Sequence, residues 1–118
     1  MQLKTDIAPQ DVKKLMDDGK IVLVDVREPQ EFASARIHGA LLFPLSTFDA
    51  RALPAADPER PIIFHCGSGK RSATAMAKCR EAGVAHTSHM EGGIQGWMRA
   101  GLPVVMLDPT TGAVVDRR

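Results

Sequence analysis

Apolar residues recur along this chain at two spacings, every third or fourth position in some segments and in unbroken β-branched runs in others, and the two alternate. Residues 9–18 predict a helix, with Pro9 in its first turn, Val12, Leu15 and Met16 on one face and Gly19 as its stop. The run Ile21-Val22-Leu23-Val24-Asp25-Val26 predicts a central strand, because a strand covered on both sides is apolar without alternation. Pro29 opens a short helix carrying Glu31 and Phe32. Residues 40–43 predict a short strand ended by Pro44, and residues 45–53 a weaker helix. After a turn-rich stretch at 54–61, Ile62-Ile63-Phe64 predicts a strand and Lys70–Glu81 a helix closed by Gly83. A strand at 84–89, a helix at 93–100 and a terminal strand at 104–106 complete the pattern.

Alternation of this kind implies an α/β fold, a mainly parallel sheet with helices on both faces. Ligands of such sheets bind beyond the carboxyl ends of the strands, where Asp25 and Cys66 both fall. A length of 118 residues suits one domain, assigned to 1–106. Residues 107–118 form a C-terminal extension in which Asp108-Pro109-Thr110-Thr111-Gly112 separates two β-prone segments, a pattern that fits a hairpin and a frayed terminus equally.

Charge changes the picture by exclusion. The net charge is +1, with basic and acidic residues interspersed, so the chain has no electrostatic footprint for nucleic acid or an anionic membrane, and a small partner is expected. Two cysteines make a poor disulfide framework and suit a reducing compartment. The first residues lack the apolar core of a secretory signal, and no run approaches the ~18 apolar residues of a membrane span, so a cytoplasmic location is expected. No cofactor is expected.

The candidate chemistry lies at Cys66, between the strand ending near His65 and the helix opening at Lys70. A strand that stops at a cysteine and restarts as a helix places the sulfur where unpaired backbone N–H groups converge, and such a place favours an anion. The glycines of Gly67-Ser68-Gly69 let successive amides form a concave nest. With Lys70 and Arg71 beside it, the thiol should ionise below its ordinary value of about 8.5. A shift of about two units corresponds to roughly 2.7 kcal/mol in favour of thiolate, enough for a nucleophile at neutral pH.

Cys66-Gly67-Ser68-Gly69-Lys70-Arg71-Ser72 has the form C-x-x-G-x-R-S and resembles the active loop of single-domain rhodaneses, the thiosulfate sulfurtransferase family. Leu23-Val24-Asp25-Val26-Arg27-Glu28, with Glu31-Phe32 and Ile37-His38-Gly39-Ala40 after it, is similar to that family's first motif. Glu91-Gly92-Gly93-Ile94-Gln95-Gly96-Trp97, followed by Gly101-Leu102-Pro103-Val104, is similar to its closing motif. The matches run in family order over residues 7–105. The resemblance implies a rhodanese-like fold with a five-stranded mainly parallel sheet, and a cysteine that carries sulfur as a persulfide. The chain departs from the first motif in having Ala35-Arg36 before Ile37 and His38 after it, where the family usually has Gly-His and often proline.

Phosphoester hydrolysis by a C-x5-R loop is the nearest competing chemistry, and some enzymes that use it share the rhodanese fold. Here the spacing from Cys66 to Arg71 is C-x4-R. One residue spans at most ~3.3–3.6 Å, so its removal contracts the ring of amides. A persulfide adds one atom to the sulfur, whereas a phosphoryl group needs room for three oxygens, and the shorter loop favours sulfur. The expected reaction has Cys66 as nucleophile, the amides of Gly67, Ser68, Gly69, Lys70 and Arg71 stabilising charge, and Lys70 drawing in an anionic donor. Arg71 either does the same or pins the loop to a carboxylate. Thiosulfate or a related sulfane donor would supply sulfur and a thiophilic acceptor would remove it. The alternative is a persulfide carrier or regulatory module served by a protein partner.

Asp25, Arg27 and Glu31 are supporting candidates, with Asp25 and Arg27 expected in a structural ion pair with Glu28 or Glu31. His65 should point away from the Cys66 side, since neighbours on a strand face opposite ways. His86 and His89, three apart in the strand predicted at 84–89, should also face opposite ways, and no metal site is expected. Cys79 shares a helical face with Ser72, Ala75 and Met76 and reads as core. Gly92-Gly93 reads as a permissive turn into Ile94 and Trp97.

Overall fold

In the computed structural model, which describes residues 3–54, 57, 59–84, 86 and 88–116, strand β1 (Asp6–Ile7) leads into α1 (Pro9–Asp17). Then come β2 (Val22–Asp25), α2 (Pro29–Ser34), β3 (Ala35–Arg36) and β4 (Leu41–Leu42). Two short 3-10 turns, Leu45–Thr47 and Ala50–Ala52, precede β5 (Ile62–His65), α3 (Lys70–Glu81), β6 (Ser88–Met90), α4 (Gly93–Arg99), β7 (Val105–Leu107) and β8 (Val114–Asp116).

The main sheet is parallel throughout, with five strands in the order β1-β6-β5-β2-β4. Its two faces follow the period-two alternation of the strands. Leu23, Ile63 and Met90 pack with Val12 of α1 and with Ile94 and Trp97 of α4. Val24, Ile62 and Phe64 pack on the other side with Ala75, Met76 and Cys79 of α3. A sheet so covered explains why β2 and β5 carry unbroken apolar runs. Trp97, 1% exposed, is anchored by its indole N–H donating to the Pro103 carbonyl at 2.8 Å.

Several elements differ from the sequence reading. The fifth strand of the main sheet is β1, while the terminal strand lies elsewhere: β7 pairs antiparallel with β3 and β8 in a second sheet ordered β3-β7-β8. Ala35 and Arg36, where the first motif departs from the family pattern, form β3. The helix expected at 45–53 is two 3-10 turns, because Phe48 adopts an extended backbone between them. Its ring then meets those of Phe43 and Phe64 at 5.3 and 6.0 Å. The strand expected at 84–89 is confined to Ser88–Met90, since the Val84 amide still donates to the Cys79 carbonyl and closes α3. Ala85 and Thr87 lie outside the described residues. Among the described residues no helix is long and apolar enough to cross a membrane.

Candidate active site

β5 ends at His65, the chain turns through Cys66 to Gly69, and α3 starts at Lys70. Gly69 makes the turn at φ 114°, a conformation that L side chains rarely adopt. The turn brings its N–H to 3.0 Å from Cys66 Sγ. The Ser72 hydroxyl lies 3.6 Å from the same sulfur. Cys66 is 1% exposed, and Ser68 and Lys70 form an exposed rim. Burial pushes the thiol up, but hydrogen bonds from the Ser72 amide and hydroxyl and from the Gly69 and Ser68 amides outweigh it and leave the thiol below its ordinary value.

Each peptide unit has two ends, and the amides can face the sulfur only if the carbonyls are satisfied elsewhere. The Cys66 carbonyl accepts from the Ile94 amide at 2.8 Å and the Gly67 carbonyl from the Gln95 amide at 3.1 Å, both in the first turn of α4. Gly93 permits this approach. A Cβ there would stand 2.3 Å from the Cys66 oxygen and 2.6 Å from that of Gly67. Gly92-Gly93 is thus a close-approach site as well as a turn.

Arg71 folds back over the loop, its Nη2 3.1 Å from where a Gly67 Cβ would be. It meets Glu31 of α2 with two nitrogens, at 2.6 and 2.9 Å. The hydrogen bonds from Arg71 hold the Glu31 carboxyl at about 2, well below the usual carboxylate range. The carboxylate that Arg71 meets is thus Glu31.

Asp25 and Arg27 pair with each other rather than with Glu28 or the Glu31 carboxylate. Arg27 Nε and Nη2 reach the Asp25 oxygens at 3.0 and 2.8 Å, and its guanidinium also donates to the carbonyls of Ala35 (2.6 Å) and Glu31 (3.4 Å). Residues two apart in extended chain share a side, and a buried cation takes the partner nearest at hand. The pair ties β2 to α2 and β3. His65 packs on the Asp25 side, its Nδ1–H donating to the Cys66 carbonyl at 3.3 Å and its Nε2 3.5 Å from Asp25 Oδ2.

Sequence reasoning missed the environment of His89. His86 falls before β6, and its ring meets Phe64, the cross-strand partner of His89, at 6.3 Å, so strand alternation does not separate the two histidines. His89 itself contacts Ser72 at 2.8 Å and Asp6 at 2.6 Å. Alternation with Ser88 and Met90 indicates its face, but its partners emerge only with β1 in place. Cys79 is fully buried, and burial raises its thiol.

The model of the rhodanese-like domain matches residues 8–100. The chain is 39% identical over 104 residues to the uncharacterized protein slr1261 of Synechocystis sp., covering 88% of this chain and 58% of that protein, so it spans little more than half of that relative. It is 30% identical to the thiosulfate sulfurtransferase GlpE of Glaesserella parasuis, over 85% of this chain and 92% of that one. A rhodanese-related protein from Thermoplasma volcanium superposes with a TM-score of 0.71 at 28% identity, covering 85% of this chain and 96% of that one. The parallel five-stranded sheet, the cysteine loop at the end of β5 and these matches together establish that the chain belongs to the rhodanese-like sulfurtransferase family.

Proposed function

We propose that the protein moves sulfane sulfur from thiosulfate, or a related donor, to a thiophilic acceptor through a persulfide on Cys66. The observation that carries this reading is the Gly69 N–H 3.0 Å from Cys66 Sγ, within a loop whose other amides lower the thiol although the residue is buried. A thiolate held this way is a ready nucleophile. It attacks the outer sulfur of thiosulfate, the S–S bond forms as the bond to the sulfonate group breaks, and sulfite leaves with that bonding pair. The terminal sulfur of the persulfide then carries the negative charge, which the loop amides stabilise in turn. Cyanide or a cellular thiol removes it in the second half-reaction.

Lys70, exposed at the rim, draws the dianionic donor inward. Arg71 is engaged with Glu31 and holds the loop rather than the donor. The 1% exposure of Cys66 favours a small donor over a persulfide presented by a protein partner. Both cysteines are free thiols, which suits a reducing compartment.

Intact mass after mixing with thiosulfate is the test. A gain of one sulfur atom at Cys66, lost on adding cyanide, is the expected result. No gain with thiosulfate, and loading only from a protein persulfide, would replace this reading with the carrier. Hydrolysis of an aryl phosphate without sulfur loading would replace both with a phosphatase.

A further inference from the structure

The main-chain amides account for the charge on Cys66 but not for where its proton goes. Three side chains beyond the loop lie in line with the sulfur. Ser72 Oγ is 3.6 Å from Cys66 Sγ and 2.8 Å from His89 Nδ1, and His89 Nε2 is 2.6 Å from Asp6 Oδ1. Asp6 and His89 are register partners on the adjacent strands β1 and β6, so the sheet fixes their separation. Ser72 and His89 are buried, while the Asp6 side chain is 62% exposed. The series therefore runs from a buried sulfur to solvent.

Hydrogen-bond chemistry gives the series a direction. A carboxylate only accepts, so His89 Nε2–H donates to Asp6. In the neutral ring Nδ1 then carries the lone pair, and the Ser72 hydroxyl donates to it. In the thiol state Ser72 Oγ is left with lone pairs facing Cys66, and each donor of this side-chain series points outward; after the transfer the hydroxyl carries its new proton toward the thiolate. The groups bonded to the ring are Asp6 from β1 and Ser72 from α3, with Cys66 behind it, and the cross-strand register partner of His89 on β5 is the apolar Phe64. The Gly69 carbonyl, 3.1 Å from Ser72 Oγ, competes for the hydroxyl proton and holds the side chain in place.

We propose that Ser72 and His89 form a relay that takes the proton of Cys66 and so generates the thiolate. The S–H bond breaks with its electron pair left on sulfur, and the proton passes to Ser72 Oγ as the hydroxyl proton passes to His89 Nδ1. The products are a thiolate and an imidazolium, the latter facing the Asp6 carboxylate. No electron is transferred. Ser72 touches the reacting sulfur and is a catalytic residue; His89 and Asp6 are positioning residues that act through it. The relay deepens the sulfur-transfer reading, since the thiolate is the species that reaction needs, but it belongs to the free protein and can be measured without a sulfur donor.

The experiment is the rate at which iodoacetamide alkylates Cys66 as a function of pH, read on the Cys66 peptide by mass spectrometry in the full chain. His89→Gln and Ser72→Ala should each move the ionisation midpoint of Cys66 upward and slow alkylation below it by about tenfold, the equivalent of about one pH unit. The double variant should be no slower than either single one, because the two groups act in series. Ser72→Thr, which keeps the hydroxyl, should restore the profile. An unchanged profile in His89→Gln, or losses that multiply in the double variant, would overturn the relay. Should His89→Gln fail to fold, Asp6→Asn at its exposed site decides in its place: a slower profile supports the relay and an unchanged one removes it. A shifted alkylation profile in a protein that gains no sulfur from thiosulfate sinks the sulfur-transfer reading and leaves the relay standing. Sulfur gain with unshifted variants does the reverse.

Discussion

Arg71 of α3 and Glu31 of α2 are joined by two parallel hydrogen bonds, at 2.6 and 2.9 Å, across the mouth of the Cys66 loop. Both side chains are about one-third exposed, 36% and 34%, so solvent screening limits what the pair adds to stability to about 1 kcal/mol or less. The guanidinium also lies over Gly67, so under the proposed function its expected effect is to orient the loop amides on the sulfur.

Glu31→Gln should therefore separate stability from activity. The melting temperature should fall by only a few degrees, whereas the rate of persulfide formation should fall about tenfold or more, as expected when a reacting group loses its alignment. Thermal unfolding and single-turnover sulfur loading measure the two. Equal and small effects on both would show that the brace is dispensable.

Gly93→Ala should be damaging out of proportion to one methyl group. Its Cβ would sit 2.3 Å from the Cys66 oxygen, and the residue would keep a φ of 58°. Overpacking costs roughly 1–3 kcal/mol and a left-handed backbone about 1–2 kcal/mol more. Denaturant unfolding should register a loss of about 2–5 kcal/mol. Loop displacement should also bring the thiol back toward its ordinary value, seen as slower alkylation near neutrality.

Acid should destabilise the protein in two stages. Burial keeps His65 neutral, below its ordinary value of 6.5, so the unfolded chain takes up a proton that the folded chain refuses. The associated stability is complete above 6.5 and declines as pH falls below it, by roughly 1.4 kcal/mol per pH unit for one excluded proton. Burial of His86 acts in the same direction. Glu31 adds a second stage, since its stabilisation is complete above 4.5 and is lost as pH falls toward about 2. Denaturant midpoints across pH should show both declines. In His65→Asn the first should be shallower and the second unchanged.

Cys66→Ser should abolish sulfur loading and leave the fold intact, because the hydroxyl occupies the same space and accepts the same Gly69 amide. Cys79→Ala should load sulfur normally and lose stability instead, since its side chain packs fully buried against the Phe64 face. Turnover by Cys66→Ser would move the chemistry to another residue.

The parts of the molecule visible in the sequence are those where local signals agree. Pro9 and Gly19 bracket α1, and α3 occupies the Lys70–Glu81 span that its spacing predicts. The turn from Ile62-Ile63-Phe64 into Cys66 is legible because a strand, a glycine pair and a helix start follow one another directly. Elements defined by distant partners are not. β1 is two residues long and exists by pairing with β6, while β3 exists by pairing with β7. The His89 contacts depend on both the register of β6 and the first turn of α3. Arg27 pairs with Asp25 rather than with Glu28 or the Glu31 carboxylate because Asp25, two residues away and buried beside it, is the carboxylate that its fork-shaped guanidinium can grip with two nitrogens.

The dependence of the Cys66 loop on α4 has a temporal side. The amides of Ile94 and Gln95 must arrive before the Cys66 and Gly67 carbonyls are held outward, and these residues follow the cysteine by more than two dozen positions. The acidity of the Cys66 thiol should therefore track the docking of α4, and a chain loosened there should carry a more ordinary thiol.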